Sequence, residues 1–451
     1  MKNFNTIVSK ELFSNEILNY QVETEKYGRT NYVNLDNAAT TPPLLEVQNG
    51  VNDFLASYGS IHRGAGSKSK ISTEIYEESR EVIKDFVNAP KDSYVLFSEN
   101  TTEAMNLTSY FFSFLKGKVA VSAIEHSSSW LPWVKAEGIK AIGREQVKLH
   151  SMETVNHQIQ IAGREQVVRY DVNDKFEFDL NSIEKLLQKN DVKVFVLTAS
   201  SNINGYCPEI KNIGKLVHKY NALFVVDACQ YLQHHEIDMQ DMGIDFLAAS
   251  GHKFYAPYGS GFLVGSKKFF DEFLPYQIGG GNLPYITEEG EFLRYRNQLA
   301  HDPGTSNSVG AVAMGLALKQ LSKLGIDNVK NYESKLANRL FAYMKSNEKI
   351  QLFVNDDHLN TVIPFRISGM DSVEVAEKLN TVYGIGVRAG SFCVYQVVRK
   401  LLKLKDEFDI VSSVKNGDIS KIPSLVRASI ALCNTEEDVD RMIEALNEMT
   451  K

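Results

Sequence analysis

Two residues at the ends of apolar runs carry the most chemical information in this chain. Lys253 closes the stretch Ser250-Gly251-His252-Lys253, which follows the apolar residues 244–249 and precedes the glycine-spaced residues 259–265. An amine on a short polar turn between two buried strands is a poor structural choice. It is a good chemical one if it forms a Schiff base in a dry pocket. The plainer reading, a surface lysine on an ordinary loop, is the default for most lysines of the chain. Asp227 ends a second apolar run, Phe224-Val225-Val226-Asp227, where unpaired carboxylates are rarely placed. An acid able to face a pyridinium nitrogen, together with that lysine, is what a pyridoxal phosphate (PLP) site requires, so PLP is the expected cofactor.

Further candidates fall where other elements end. Thr101 and Thr102 lie in Ser98-Glu99-Asn100-Thr101-Thr102-Glu103, a helix start that caps itself well and equally presents free N–H groups to a phosphate. His126 follows the strand-like residues 119–124, where it could stack on a flat ring or serve structure alone. Asn202 lies in the donor-rich residues 198–205 after another apolar run. Near the C-terminus, Arg388 stands five residues before Cys393, and Arg427 interrupts the apolar Leu425-Val426-Arg427-Ala428-Ser429-Ile430. A buried guanidinium needs a partner, either a substrate carboxylate in a bidentate grip or a structural acid. Cys393 by itself reads equally as a packed thiol. His62 and Arg63 beside glycines could meet an anion or form a solvated loop. The spacing of the four cysteines matches no zinc site, and no metal is expected.

Positioning these residues requires strands alternating with helices. Strand patterns cover residues 94–97, 119–124, 192–197, 224–227, 244–249 and 259–265, and helical spacing covers 69–87, 181–188 and 210–220. That order predicts an α/β domain with a mostly parallel sheet, whose ligand crevice lies beyond the carboxyl ends of its strands. Thr101, His126, Asn202, Asp227 and Lys253 all fall at such ends, which argues for one site. From about residue 309 the pattern changes to a long helix, a helix over 328–346, then strand 361–367, helix 372–383, strands 385–388 and 425–432, and helix 436–449. The expected organisation is an N-terminal segment (1–30, a helix and a loop) packed on the body, a large PLP-binding domain (31–308) and a smaller α+β domain (309–451). A repeated Gly-Arg-Glu-Gln-Val at 143–147 and 163–167 predicts a surface β-hairpin insertion without an assigned role, and residues 400–421 read as a charged excursion.

Composition narrows the partners. The chain has 451 residues and a net charge of -7, which argues against nucleic acid and against a basic membrane-facing patch. No apolar run approaches the roughly 20 residues that span a bilayer, and Met1-Lys2-Asn3-Phe4 does not begin a signal peptide, so a cytoplasmic location is expected. Four widely separated cysteines (Cys207, Cys229, Cys393 and Cys433) read as thiols in a reducing compartment.

With these residues in view, the chain resembles the class V aminotransferase group of fold-type I PLP enzymes, and within it the cysteine desulfurases and selenocysteine lyases of the SUF-associated type. The resemblance runs from about Leu35 to the C-terminus. It rests on Leu35-Asp36-Asn37-Ala38-Ala39, His62-Arg63-Gly64, Thr101-Thr102-Glu103, Glu125-His126, Ser201-Asn202, Asp227-Ala228-Cys229-Gln230, Ser250-Gly251-His252-Lys253, Gly304-Thr305, Arg388-x-Gly-x-x-Cys393 and Arg427-Ala428-Ser429. It implies a seven-stranded sheet of the aspartate aminotransferase type. It implies that Lys253 holds PLP and shuttles a proton, that Asp227 meets the pyridine nitrogen and that His126 stacks on the ring. Asn202 and Gln230 would bond its phenolic oxygen region. Thr101, Thr102, Ser250 and His252 would hold the phosphate, with Thr305 supplied by the second copy in a homodimer.

Arg427, with Arg388 and Asn202, would receive the substrate carboxylate. Cys393 would take sulfur from L-cysteine as a persulfide, leaving L-alanine, for a sulfur-acceptor protein. The alternative on the same scaffold is an aminotransferase or a C–S or selenocysteine lyase that does not need Cys393. Three departures bear on the sulfur step, its acceptor and its partner and not on PLP: Ser391 and Phe392 stand where the family has histidines, the segment between Cys393 and Arg427 is long and charged, and the hairpin near 143–167 looks like an insertion.

Overall fold

The computed structural model describes residues 11–142, 167–404 and 407–451. The chain gathers into two compact units, one of Glu46–Ala199 and Pro208–Lys323, the other of Met1–Leu45, Ser200–Cys207 and Leu324–Lys451.

The first unit is built on a seven-stranded sheet. Its strands are β1 (Ser93–Ser98), β2 (Lys118–Ser122), β3 (Val167–Tyr170), β4 (Val192–Thr198), β5 (Leu223–Asp227), β6 (Phe246–Ser250) and β7 (Gly261–Ser266), in the order β1-β7-β6-β5-β4-β2-β3. Strands β3, β2, β4, β5 and β6 pair in parallel, and β7 runs antiparallel to both neighbours, which returns β1 to the common direction. The α/β sheet is therefore the mostly parallel one that the sequence predicts. Strands buried on both faces need no polar alternation, and every residue of β6 is buried. Its core joins Leu96, Val121, Val196, Val225, Phe246 and Leu263 from the sheet to Phe111, Phe112 and Trp133 from helices. Helices Ser67–Phe86, Thr101–Phe112, Leu180–Lys189, Ile210–Lys219 and Ser308–Leu324 supply the crossovers and cover.

The second unit contains an antiparallel sheet of β8 (Ile350–Leu352), β9 (Val362–Ile367), β10 (Arg388–Gly390) and β11 (Leu425–Ser429), in the order β8-β9-β11-β10. Helices Ile326–Ser346 and Ser372–Tyr383 pack on it, and Glu436–Met449 packs on those two helices, giving the expected α+β set. Strand β11 stops at Ser429, short of the expected 432, because the Asn434 side chain takes the Ala431 N–H at 3.0 Å.

The N-terminal segment differs from the expected helix and loop. Among its described residues, 11–12 and Asn15–Leu18 are helical, and Gln21–Thr24 and Gly28–Asn31 form an antiparallel hairpin that the expectation did not include. Its turn has Gly28 at φ +61° and the Thr24 hydroxyl accepting from Tyr27 N–H at 3.1 Å, a polar device that apolar periodicity does not reveal. Val33–Asn34 then pairs in parallel with Ile385–Gly386, and Ala38 N–H donates to Ser429 Oγ at 2.9 Å. Within residues 400–421, Phe408–Lys415 forms a helix. The hairpin expected over 143–167 lies outside the described residues apart from Val167, which opens β3. Among the described residues no single helix is long and apolar enough to cross a membrane.

Candidate active site

In the first unit the carboxyl ends of the parallel strands collect most of the candidate residues. Asp227 ends β5 and is 4% exposed. Its Oδ1 accepts from Cys229 N–H at 2.9 Å and its Oδ2 from the Ser129 hydroxyl. Beside it, with Asp227 paired to Ala248, runs β6; its end turns through a short 3₁₀ segment, Gly251–Lys253. The half-buried Lys253 Nζ donates to Gln230 Oε1 at 3.3 Å. Gln230 is buried, and its Nε2 has no hydrogen-bond partner among the described residues. An orphaned amide donor next to a lysine and a buried acid fits a planar ligand carrying an oxygen acceptor.

Strand β1 leads into helix Thr101–Phe112, capped by Asn100, whose side chain accepts from Glu103 N–H at 3.0 Å. The cap is thus neither threonine, and both hydroxyls are free for other work. Thr101 N–H donates to Ser250 Oγ at 2.6 Å, and the two hydroxyls meet at 2.8 Å. Gly261 on the intervening strand makes this approach possible, because a Cβ there would lie 2.8 Å from Asn100 and Ala249 backbone atoms. The exposed Thr102 hydroxyl meets Ser128 Oγ at 2.7 Å. Burial and the neighbouring Lys253 cation push His252 down to about 4, so it is neutral near pH 7 and can donate one hydrogen bond. Helix-start N–H groups, hydroxyls and a neutral imidazole suit a phosphate. His126 Nδ1 accepts from Ser128 N–H at 3.1 Å, and Thr305 lies exposed on the loop before helix Ser308–Leu324.

Neither His62 nor Arg63 is left as a plain anion site. His62 Nε2 lies 2.7 Å from Glu77, whose other neighbour, buried Arg80, is paired with Asp302. Arg63 donates to Gly304 O at 3.2 Å. The trio His62, Glu77 and Asp302 could ligate a cation by spacing, but Arg80 already neutralises its carboxylates.

Glu125 escaped any sequence-based role. It is 3% exposed, accepts from Ser122 Oγ at 2.6 Å and from Thr198 N–H at 2.7 Å, and so ties the ends of β2 and β4 together. Burial above all, with Asp227 adding repulsion, raises its carboxyl from 4.5 to about 8. A carboxyl whose pKa rises on folding stabilises the fold below its unfolded value and loses that contribution as pH climbs through the folded one. Wild-type stability should therefore fall between about pH 5 and pH 8 by an amount on the order of a few kcal/mol. Glu125→Gln should flatten the fall, which thermal melts across that range would read. Parallel melting curves for the two proteins would contradict it.

In the second unit Asn202, Asp36 and Phe392 gather on Arg427, and Asp36 also reaches Arg388. Arg427 is 2% exposed. Its Nη1 donates to Asn202 O at 2.9 Å and its Nη2 to Asp36 Oδ1 at 3.0 Å, while Nε has no partner among the described residues. Arg388 and Arg427 stand directly opposite on β10 and β11. Asp36 relieves that like-charge pairing, since its Oδ2 also accepts from Arg388 at 3.5 Å. Burial lowers Arg427 to about 10 with Asp36 opposing, so the guanidinium stays charged at neutral pH. Cys393 is exposed at a turn whose Phe392 and Cys393 both adopt left-handed backbone, with φ +51° and +58°. Sequence reasoning missed Asp36 as the partner of both arginines and Ser129 as the partner of Asp227.

A buried acid, a lysine and a phosphate-type helix start on one sheet edge are the marks of a PLP-enzyme scaffold. The chain belongs to the class-V aminotransferase family, whose profile matches residues 33–162 and 140–442. It is 30% identical over 421 residues to a Methanothermobacter thermautotrophicus protein named "Probable cysteine desulfurase", covering 93% of this chain and 94% of that one. It is 26% identical over 439 residues to the cysteine desulfurase of Wigglesworthia glossinidia brevipalpis, covering 96% of each. The apo structure of a cysteine desulfurase from Thermococcus onnurineus NA1 superposes with a TM-score of 0.78 at 26% identity, covering 93% of this chain and 94% of that one.

Proposed function

We propose that the chain is a PLP-dependent cysteine desulfurase that converts L-cysteine to L-alanine and transfers the sulfur to Cys393. The observation that carries the reading is Asp227, buried at the end of one strand, beside the strand whose end carries Lys253. Similarity to proteins named cysteine desulfurase over nearly the whole chain directs it to sulfur.

Bound through Lys253, PLP supplies an electron sink for the carbon framework of the substrate. Asp227, oriented by Ser129 and Cys229 N–H, would hold a proton at the pyridine nitrogen. His126 would cover the ring, and Gln230 and Asn202 would serve its phenolic oxygen. Thr101, Thr102, Ser250 and His252 would bind the phosphate, with Thr305 of a second copy completing it in a homodimer. Arg427 receives the substrate carboxylate with Arg388 nearby; its charge and its unpartnered Nε suit that role. Cys393, as thiolate, attacks the substrate sulfur: an S–S bond forms, the C–S bond breaks, and Lys253 Nζ delivers the proton that completes alanine. A sulfur-acceptor protein then takes the terminal sulfur. Four free cysteines fit a reducing, cytoplasmic setting.

The test is product identity. With L-cysteine, PLP and a thiol reductant, the protein should release alanine and sulfide in equal amounts. Formation of a keto acid in place of alanine would make it an aminotransferase, and pyruvate with ammonia a lyase.

A further inference from the structure

Phe392 occupies a position where the resemblance leads one to expect histidine, and its contacts give it work to do. It is 7% exposed although Cys393 beside it is exposed. Its ring lies 4.8 Å from the guanidinium carbon of Arg427. Its carbonyl accepts from Asn202 Nδ2 at 2.9 Å, and the backbone oxygen of Asn202 in turn accepts from Arg427. The turn is fixed on its other side by the Ser391 hydroxyl, which donates to Pro423 O, and by Val394 N–H, which donates to Ser391 O at 2.8 Å. Two successive non-glycine residues at positive φ persist only where the surroundings over-determine them. Besides the Ser391 and Val394 bonds, the determinants are one buried aromatic ring and one amide, and these two end on Arg427.

We propose that Phe392 is a positioning residue that ties the Arg427 guanidinium to the Cys393 thiol. The ring seats on the cation and sets the side-chain plane that presents Nε. The same residue holds the left-handed turn that aims the thiol. The carboxylate grip and the sulfur-accepting atom are thereby set by one side chain. The inference rests on the proposed function only in naming Arg427 and Cys393 as the working groups.

Two readouts test it, one of which needs no turnover. Phe392→Leu keeps an apolar side chain but removes the π-face. It should raise KM for L-cysteine about three- to thirty-fold. It should also speed alkylation of Cys393 by iodoacetamide several-fold, followed by peptide mass. Phe392→Tyr keeps the ring face and should restore both values to near wild type, with melting temperatures showing that all three proteins are folded. Wild-type KM and alkylation rate in Phe392→Leu would overturn the proposal. So would equal effects of leucine and tyrosine, which would assign the change to packing. If the wild type makes no alanine at all, the proposed function fails while the alkylation comparison still decides whether Phe392 aims the thiol.

Discussion

Replacing Lys253 by alanine should lower alanine formation from L-cysteine by about 10³-fold or more while leaving the protein folded. In the proposed function the amine would serve twice, as the covalent anchor of PLP and as the proton carrier, and losing a positioned acid–base group alone typically costs about 10²- to 10⁴-fold. The fold should tolerate the change because the turn is held by backbone bonds: Gly251 N–H to Ser260 O at 2.8 Å, Phe254 N–H to Gly251 O at 3.0 Å and Ala256 N–H to Gly251 O at 2.9 Å. Borohydride treatment of the PLP-loaded wild type should fix the cofactor to the peptide containing Lys253, and the variant should remain untagged. A variant within a few-fold of wild-type rate would remove Lys253 from the chemistry.

Cys393→Ala should be equally inactive in sulfide release, by about 10³-fold or more, yet keep PLP and the borohydride tag on Lys253. The separation matters because the two residues do different things. In the proposed function Lys253 would attach PLP and move protons, while Cys393 would accept sulfur and touch neither task. The side chain is exposed and its removal opens no core cavity, so the melting temperature should stay close to that of the wild type. Sulfide and alanine formation at the wild-type rate in Cys393→Ala would reduce the thiol to packing and make the chain a lyase on the same scaffold.

Much of the first unit was legible because its signals are local. Apolar runs gave six of the seven strands within a residue or two, with Asp227 and Lys253 at their ends; Val167–Tyr170 was missed because it follows directly on the segment read as a surface hairpin. Features carried by long-range pairing were not legible. Asp36 serves Arg388 and Arg427 from 352 and 391 positions away, and nothing in the spacing of either partner announces it. The Ser129 hydroxyl on Asp227 spans 98 positions. The hairpin over residues 21–31 is polar and mostly solvent-facing, so it lacks the alternation that marks a half-buried strand. Asn100 as cap was hidden by the two threonines after it, any of the three being a competent cap residue. The family resemblance drew attention to Cys393 and left Phe392 as a mere departure. Its ring on Arg427 and its carbonyl on Asn202 give that departure a physical sense.

The most direct test of the account is the mass of the Cys393 peptide after L-cysteine is added to the PLP-loaded protein without reductant. The account predicts the gain of one sulfur atom on that peptide in the wild type, matched by one alanine released per chain, and no gain in Lys253→Ala. Alanine released while Cys393 gains no sulfur would contradict it.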